Sequence, residues 1–281
     1  MKSVLGLSLG ILPKHKPMPR ELRTIDDVIT TLEEYIRQNE TNNNALGYFP
    51  ALYLKVTRQV KKGIAEGFFD DGPRMEKLDV LFASRYIHAY DDYQQKLAVT
   101  QSWERAFVLA ADFWPIVLQH LLMGMNAHIN LDLGIAAAEV MQGQPIDDLH
   151  DDFKRINKIL SELVGEVQEE LCKIWPTLHW ILQKTRRIDD VLVDFSMEVA
   201  RDGAWRFAKS LAATPTASWP STIAARDTRI AELAQRVSSP GWLIQLALMI
   251  IRLGERGTVS AKIKVLNAVV EQAPNPLKNE S

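Results

Sequence analysis

With 281 residues, 47% of them hydrophobic, the chain can bury a large core as one domain or as two closely packed ones. A net charge of −2 provides no basic surface, which argues against nucleic acid as a partner. The single cysteine, Cys172, excludes an internal disulfide and a cysteine-based zinc site, and its setting in EVQEELCKIW marks it as a core residue.

From the N-terminus, Val4–Leu12 is a short apolar run without an extended basic segment before it or a small-residue cleavage site after it. Residues 1–20 read as an arm packed on the body, with contact at a membrane surface as the sharper alternative. No stretch reaches transmembrane length without charges, so the expectation is a soluble cytoplasmic protein with no transmembrane segment.

Strand signals are almost absent and helical periodicity is nearly continuous, which predicts an all-α domain over residues 21–273 and a disordered tail at 274–281. Thr24 caps a helix to about Gln38, with Asp26 and Asp27 in its first turn. After the polar loop Thr41–Asn44, a second helix runs from about Leu46 to Glu66 and ends at Asp70–Pro73. A long third helix follows from Arg74 to Lys96, then a short one around Ser102–Ala111.

The run Ala111–Gly143 then predicts a long central helix over about Phe113–Met141, with Asp112 as N-cap, Pro115 in the first turn and Gly143 as terminator. Its composition is apolar on all sides, so it belongs in the interior. A charged helix from Asp147 or Asp148 to Ile174 carries a solvated outer face. Helices at about Thr177–Lys184, Asp189–Leu211, Ser221–Ser238, Gly241–Leu253 and Ser260–Gln272 complete the chain. Ala213–Ser221 (ATPTASWPS) is the most obvious internal break, a flexible loop or lid.

The central helix nevertheless carries Gln119, His120, Asn126, His128, Asn130, Asp132 and Glu139, and buried polar groups are costly unless paired. At about 100° per residue, with His120 at zero, His128, Glu139 and Asp132 fall at roughly +80° to +120°. Gln119, Asn130 and Asn126 fall at roughly −80° to −120°. Two polar lines therefore run along an apolar rod. His128 and Asp132, spaced i, i+4, can hold one ion between them, and His88 and Asp92 repeat that spacing on the third helix. Such inward-facing pairs on neighbouring helices build metal sites in bundles. An ordinary His–Asp ion pair has the same spacing.

Asp190, Asp194 and Glu198 form a third carboxylate line, either a solvated face or one neutralised by a metal or by arginines such as Arg85, Arg186, Arg187 and Arg201. Asp194 and Glu198 are expected on its inner side. His15, His150 and His179 read as structural. Paired E-x-x-H helices, H-E-x-x-H, G-x-S-x-G, P-loop and dinucleotide fingerprints are all missing. Met123, Met125, Tyr86, Tyr90, Trp103 and Phe107 adjoin the candidate ligands and suggest an apolar pocket with a polar end, suited to an acyl chain with a carboxylate, ester or phosphate head.

The segments F-A-x-R-Y-I-H-A, W-x-x-A-F, Q-H-L-L-x-G-M-N-A-H-I-N-x-D-L and A-R-D-x-A-W together resemble a bacterial family catalogued only as a domain of unknown function. The resemblance spans roughly Leu22 to Leu253 and is most specific over Gln119–Leu133. It implies an all-helical fold, brings no activity with it and points at His88, Asn126, His128 and Asp132. A more distant likeness is to helical metal-dependent phospholipases C, whose closely spaced His motifs and N-terminal Trp ligand are missing here.

The leading expectation is thus a divalent metal ion (zinc, magnesium, manganese or iron) at the head of an apolar pocket, hydrolysing a lipid-like or ester substrate through metal-activated water. His88, Asp92, His128, Asp132 and Asp194 are the expected ligands, and Glu198 and His120 the expected catalytic groups. Asn126, Tyr86, Met123 and Trp103 are expected to hold the substrate. The alternatives are a non-catalytic binder of fatty acids or similar amphiphiles and a structural helical protein without a metal.

Overall fold

The computed structural model describes residues 20–175, 197–239 and 241–268. Within them the chain forms eleven α-helices and no strand. In chain order these are α1 (Ile25–Thr41), α2 (Tyr48–Ala65), α3 (Gly72–Gln94), α4 (Gln101–Leu109), α5 (Val117–Ala127), α6 (Leu133–Val140), α7 (His150–Ile174), α8 (Met197–Ala212), α9 (Trp219–Ser238), α10 (Trp242–Gly254) and α11 (Val259–Asn267). Local chemistry sets their starts. Thr24 Oγ1 accepts from Asp27 N–H while Asp27 Oδ2 accepts from Thr24 N–H, a closed capping box on α1. Asp71 caps α3 through Arg74 N–H, and Pro73 fits its first turn, where no N–H is needed.

The central rod starts later than the sequence predicts. Pro115 disfavours helical backbone at Trp114, and α5 begins only at Val117. Asp112, Phe113 and Trp114 stay in the preceding loop, with Phe113 64% exposed. The helix N-terminus is capped from elsewhere: Gln119 Oε1 accepts from Ile116 N–H, and Glu255 Oε1 accepts from Val117 N–H. The rod is also interrupted. His128–Asp132 winds as a π turn, with Leu133 N–H reaching back five residues to His128 O. Such turns insert one extra residue and often mark functional positions.

Helices surround this rod on all sides. α8 packs along α6, and the approach is so close that a Cβ on Gly134 would stand 2.8 Å from Ala204 O. α9 covers α4 and α5, α3 lies against α6, and α2 packs on α5 and α7. α7 is not solely a solvated face: Phe153, Ile156, Ile159, Leu160 and Leu163 enter the core, and Glu170 is buried with Lys55 as its ion-pair partner. Cys172 is half-buried and packs against the core. The break at Ala213–Ser221 is a pinned turn, because Trp219 Nε1 donates to both Leu211 O and Thr214 O. The N-terminal arm, the tail, the helix at Thr177–Lys184 and residues 189–196 lie outside the described residues. Among those described, no helix is long and apolar enough to cross a membrane.

Candidate functional site

Asp132, 1% exposed, is the junction of three elements. Its Oδ1 accepts from Arg85 Nε of α3 at 3.0 Å. Its Oδ2 accepts from Trp103 Nε1 of α4 at 2.8 Å and faces His128 Nδ1 at 3.3 Å. Arg85 also reaches Glu139 at 3.8 Å. These partners give the buried carboxylate a cation and two further N–H groups to face, as burial demands.

That arrangement fixes the histidine. An ionised carboxylate only accepts, so His128 Nδ1 carries the proton and donates to Asp132. Burial holds the ring below its ordinary pKa, an effect that Asp132 opposes and Arg85 reinforces. The neutral ring therefore presents Nε2 as a bare lone pair, and Nε2 has no hydrogen-bond partner. The ring stacks on Phe82 at 3.5 Å between centroids and meets the edge of Tyr53 at 4.6 Å.

His128 opens onto a cavity of about 380 Å³ between α2, α3, α5, α6, α7 and α8. Its walls are almost wholly apolar, including Phe49, Leu52, Val56, Met75, Leu121, Met125, Ile156, Leu160 and Val167. A volume of that size is in the range that holds a small ligand. Among the described residues four polar side chains interrupt the lining, and each has a buried atom without a hydrogen-bond partner there: Tyr53 Oη, Asp79 Oδ2, His128 Nε2 and Arg201 Nε. Desolvation by burial raises the Asp79 carboxyl to about 8, with Glu76 adding to the effect, so it stays largely protonated at neutral pH. Burial raises the Tyr53 phenol as well.

Arg201, 3% exposed, donates from Nη2 to Phe153 O and stacks on the Phe153 ring at 4.5 Å. Among the described residues no carboxylate lies within ion-pair distance of it. Desolvation by burial lowers its pKa to about 9, with Asp202 opposing, so the guanidinium remains a cation at neutral pH.

The second polar line of the rod has a different purpose. Gln119 Nε2 donates to Val237 O and Asn126 Nδ2 to Ile230 O, both on α9. Asn130 Nδ2 donates to Asn126 Oδ1, and Asn130 O accepts from Arg226 Nε. This row of amides docks α9 on α5 and the π turn. Asn126, expected to hold substrate, is one of its members.

The remaining expected residues disperse. His88 lies on the outer side of α3, half-buried, with Nε2 3.0 Å from Arg20 O. Asp92, one turn on, is half-buried too, and neither residue lines the cavity. Glu198 is exposed in the first turn of α8, because that helix turns Ala200, Arg201, Ala204 and Ala208 inward; the inner placement expected for it is corrected. Asp194 lies outside the described residues. Met123 packs with Leu109 and Ala234 away from the cavity, whose wall takes Met125 instead. Trp103 supports Asp132, and Tyr86 is buried in the neighbouring aromatic cluster. Among the described residues no three of His, Cys, Asp and Glu come together as metal ligands would.

His120 is buried in a separate polar recess of about 420 Å³ lined also by Tyr48, Arg252, Glu255 and Lys262. Desolvation, then Arg252 and Lys262, push its pKa down to about 3. Sequence reasoning passed over Tyr53 and Asp79. Asp79 had a signal: it stands one turn from Met75 on the face of α3 that also presents Leu78 and Phe82, where an acid is out of place.

Fold and site together define an all-helical single-domain protein with an apolar pocket between its helices, interrupted by a few polar groups unpaired among the described residues. The chain belongs to the family of unknown function DUF5995, which matches it over residues 25–240. No curated protein and no solved structure matches it.

Proposed function

We propose that the protein is a cytoplasmic carrier or sensor that binds a fatty-acid-like amphiphile in this cavity. The observation behind the reading is Arg201, a buried cation on the wall of an apolar chamber with no carboxylate beside it among the described residues. A buried charge is tolerated when something neutralises it, and a ligand carboxylate is the partner that an apolar chamber would deliver. Arginine suits that role because its planar fork grips a carboxylate through two hydrogen bonds.

The test is calorimetric titration of delipidated protein with dodecanoate and with dodecane-1-ol. Wild type should bind the acid, and Arg201→Met should lose at least tenfold in affinity for the acid while keeping the alcohol. Absence of binding to either compound, or an Arg201→Met variant that still prefers the acid, would overturn the reading.

Hydrolysis is a second reading, favoured by the His128–Asp132 pair. A neutral imidazole whose Nδ1–H is held by a carboxylate is oriented to take a proton from water at Nε2. Turnover of a long-chain 4-nitrophenyl ester, lost in His128→Phe, is its test. The metal-assisted form, with His88, Asp92, His128, Asp132 and Asp194 as ligands, has no support in the described residues, where His88 and Asp92 stand apart from His128 and Asp132. Elemental analysis of protein purified without chelator decides that form.

A further inference from the structure

Resting on the reading of the cavity as an amphiphile site, we infer that the ligand carries a second polar group, a hydroxyl on its chain, received by His128 Nε2 with Tyr53 and Asp79 beside it. The site therefore selects a hydroxylated acyl chain over a plain one.

The inference starts from unmet hydrogen-bonding capacity. His128 Nδ1–H is committed to Asp132, which fixes Nε2 as an acceptor, and Nε2 is buried on the cavity wall without a donor. The Tyr53 ring stands against the imidazole, and its hydroxyl, acted on by Thr57, has no partner at hydrogen-bond distance among the described residues. Asp79 Oδ2 is the third unpartnered atom on this part of the wall, and Asp79 is among the charges that act on Tyr53. An acceptor and a donor are thus both unmet in one polar corner of an otherwise apolar chamber.

A plain methylene chain packed there leaves each group desolvated and unbonded, which is the costly state for a buried polar atom. A carbonyl or ether only accepts and cannot serve the imidazole lone pair. A hydroxyl on the chain does both: it can donate to His128 Nε2 and accept from a neighbouring hydroxyl such as that of Tyr53, whose ring lies 4.6 Å from the imidazole. A site that supplies hydrogen bonds to a substrate hydroxyl discriminates strongly against the analogue lacking it, because its own groups are left unpaired.

This corner is distinct from the carboxylate position. His128, Tyr53 and Asp79 reach the cavity from the π turn, α2 and α3, whereas Arg201 enters it from α8, stacked on Phe153 of α7. One chamber with a cation at one place and a neutral donor–acceptor pair at another matches a molecule with a carboxylate at one end and a hydroxyl further along.

The experiment is calorimetric titration of the full-length protein with hexadecanoate and a set of its monohydroxylated isomers, the hydroxyl placed at successive positions, alongside neutral hexadecane diols. At least one hydroxy acid should bind tenfold or more tightly than hexadecanoate. His128→Phe, and separately Tyr53→Phe, should erase that advantage, read as the ratio of hydroxy-acid to hexadecanoate affinity within each variant. No preference for any isomer overturns the inference, as does a preference that survives both variants. If acids fail to bind but a diol binds in a His128-dependent manner, the Arg201 reading falls and the hydroxyl site stands.

Discussion

The central rod has two polar faces, and they differ in one respect. Towards α9, Gln119, Asn126 and Asn130 meet backbone carbonyls or one another. Towards the cavity, His128 uses one nitrogen on Asp132 and leaves the other bare, in company with Tyr53 and Asp79. A buried polar group that is satisfied holds helices together and excludes ligands. One left unsatisfied stores the cost of desolvation until something arrives to offset it. The first face is scaffold and the second is site, even though they alternate along a single run of sequence.

The sharpest break in this division would come at Asp132, which ties the cavity face to α3 and α4. Asp132→Ala strips the buried partners from Arg85, Trp103 and His128 together. Loss of one partner from a buried pair costs about 3–5 kcal/mol. Urea denaturation of Asp132→Ala should show a loss at least of that order, and a variant of wild-type stability would refute the hub. Gly134→Ala comes next. Its Cβ would meet backbone oxygen of Ala204 and the Phe207 ring, both at 2.8 Å, and neither is a flexible chain end. Overpacking of this kind costs about 1–3 kcal/mol. The same denaturation series checks it.

Asn126→Ala tests the scaffold face by itself. It leaves Asn130 without its acceptor and removes one tie to α9, at about 1–3 kcal/mol. Dodecanoate affinity should stay within threefold. A large change in affinity there would merge the two faces and undo the comparison.

The sequence displayed this division only in part. Helical phase showed two polar lines on an apolar rod, and both exist. The i, i+4 spacing of His128 and Asp132, read as a pair that could hold an ion between its members, is a direct contact, the ordinary alternative for that spacing. Helical phase could not show the partners, because Arg85 and Trp103 come from other helices and the ion-pair reading and the metal reading of H-x3-D share one spacing. Nor could it show the π turn, since a constant 100° step assumes uninterrupted winding. Asp92 repeats the spacing after His88, yet that pair sits on the outer side of α3, where periodicity alone does not distinguish inward from outward. Arg201 was legible as a cation near acids. Its inward direction was settled by the neighbouring alanines, which let α8 come close to α6.

The most specific expected effect concerns pH. In the unfolded chain Asp79 ionises near an ordinary value of about 3.9. In the folded protein its carboxyl is raised to about 8 by burial, with Glu76 adding to it. Between those values the folded state keeps a proton that the unfolded chain has released, so the contribution of Asp79 to stability declines as pH rises through the window. The slope is at most about 1.4 kcal/mol per pH unit for one group. His120 acts in the opposite sense: lowered to about 3, it withholds a proton that the unfolded chain takes up, and stability declines as pH falls below about 6.5. Asp79→Asn preserves the shape and removes the titration. Denaturation midpoints from pH 5 to 8 should therefore flatten at the alkaline side in Asp79→Asn while the acid limb set by His120 persists. If the alkaline decline of wild type survives the substitution, Asp79 is not the buried neutral acid of the cavity, and the polar corner loses one of its three unpaired atoms.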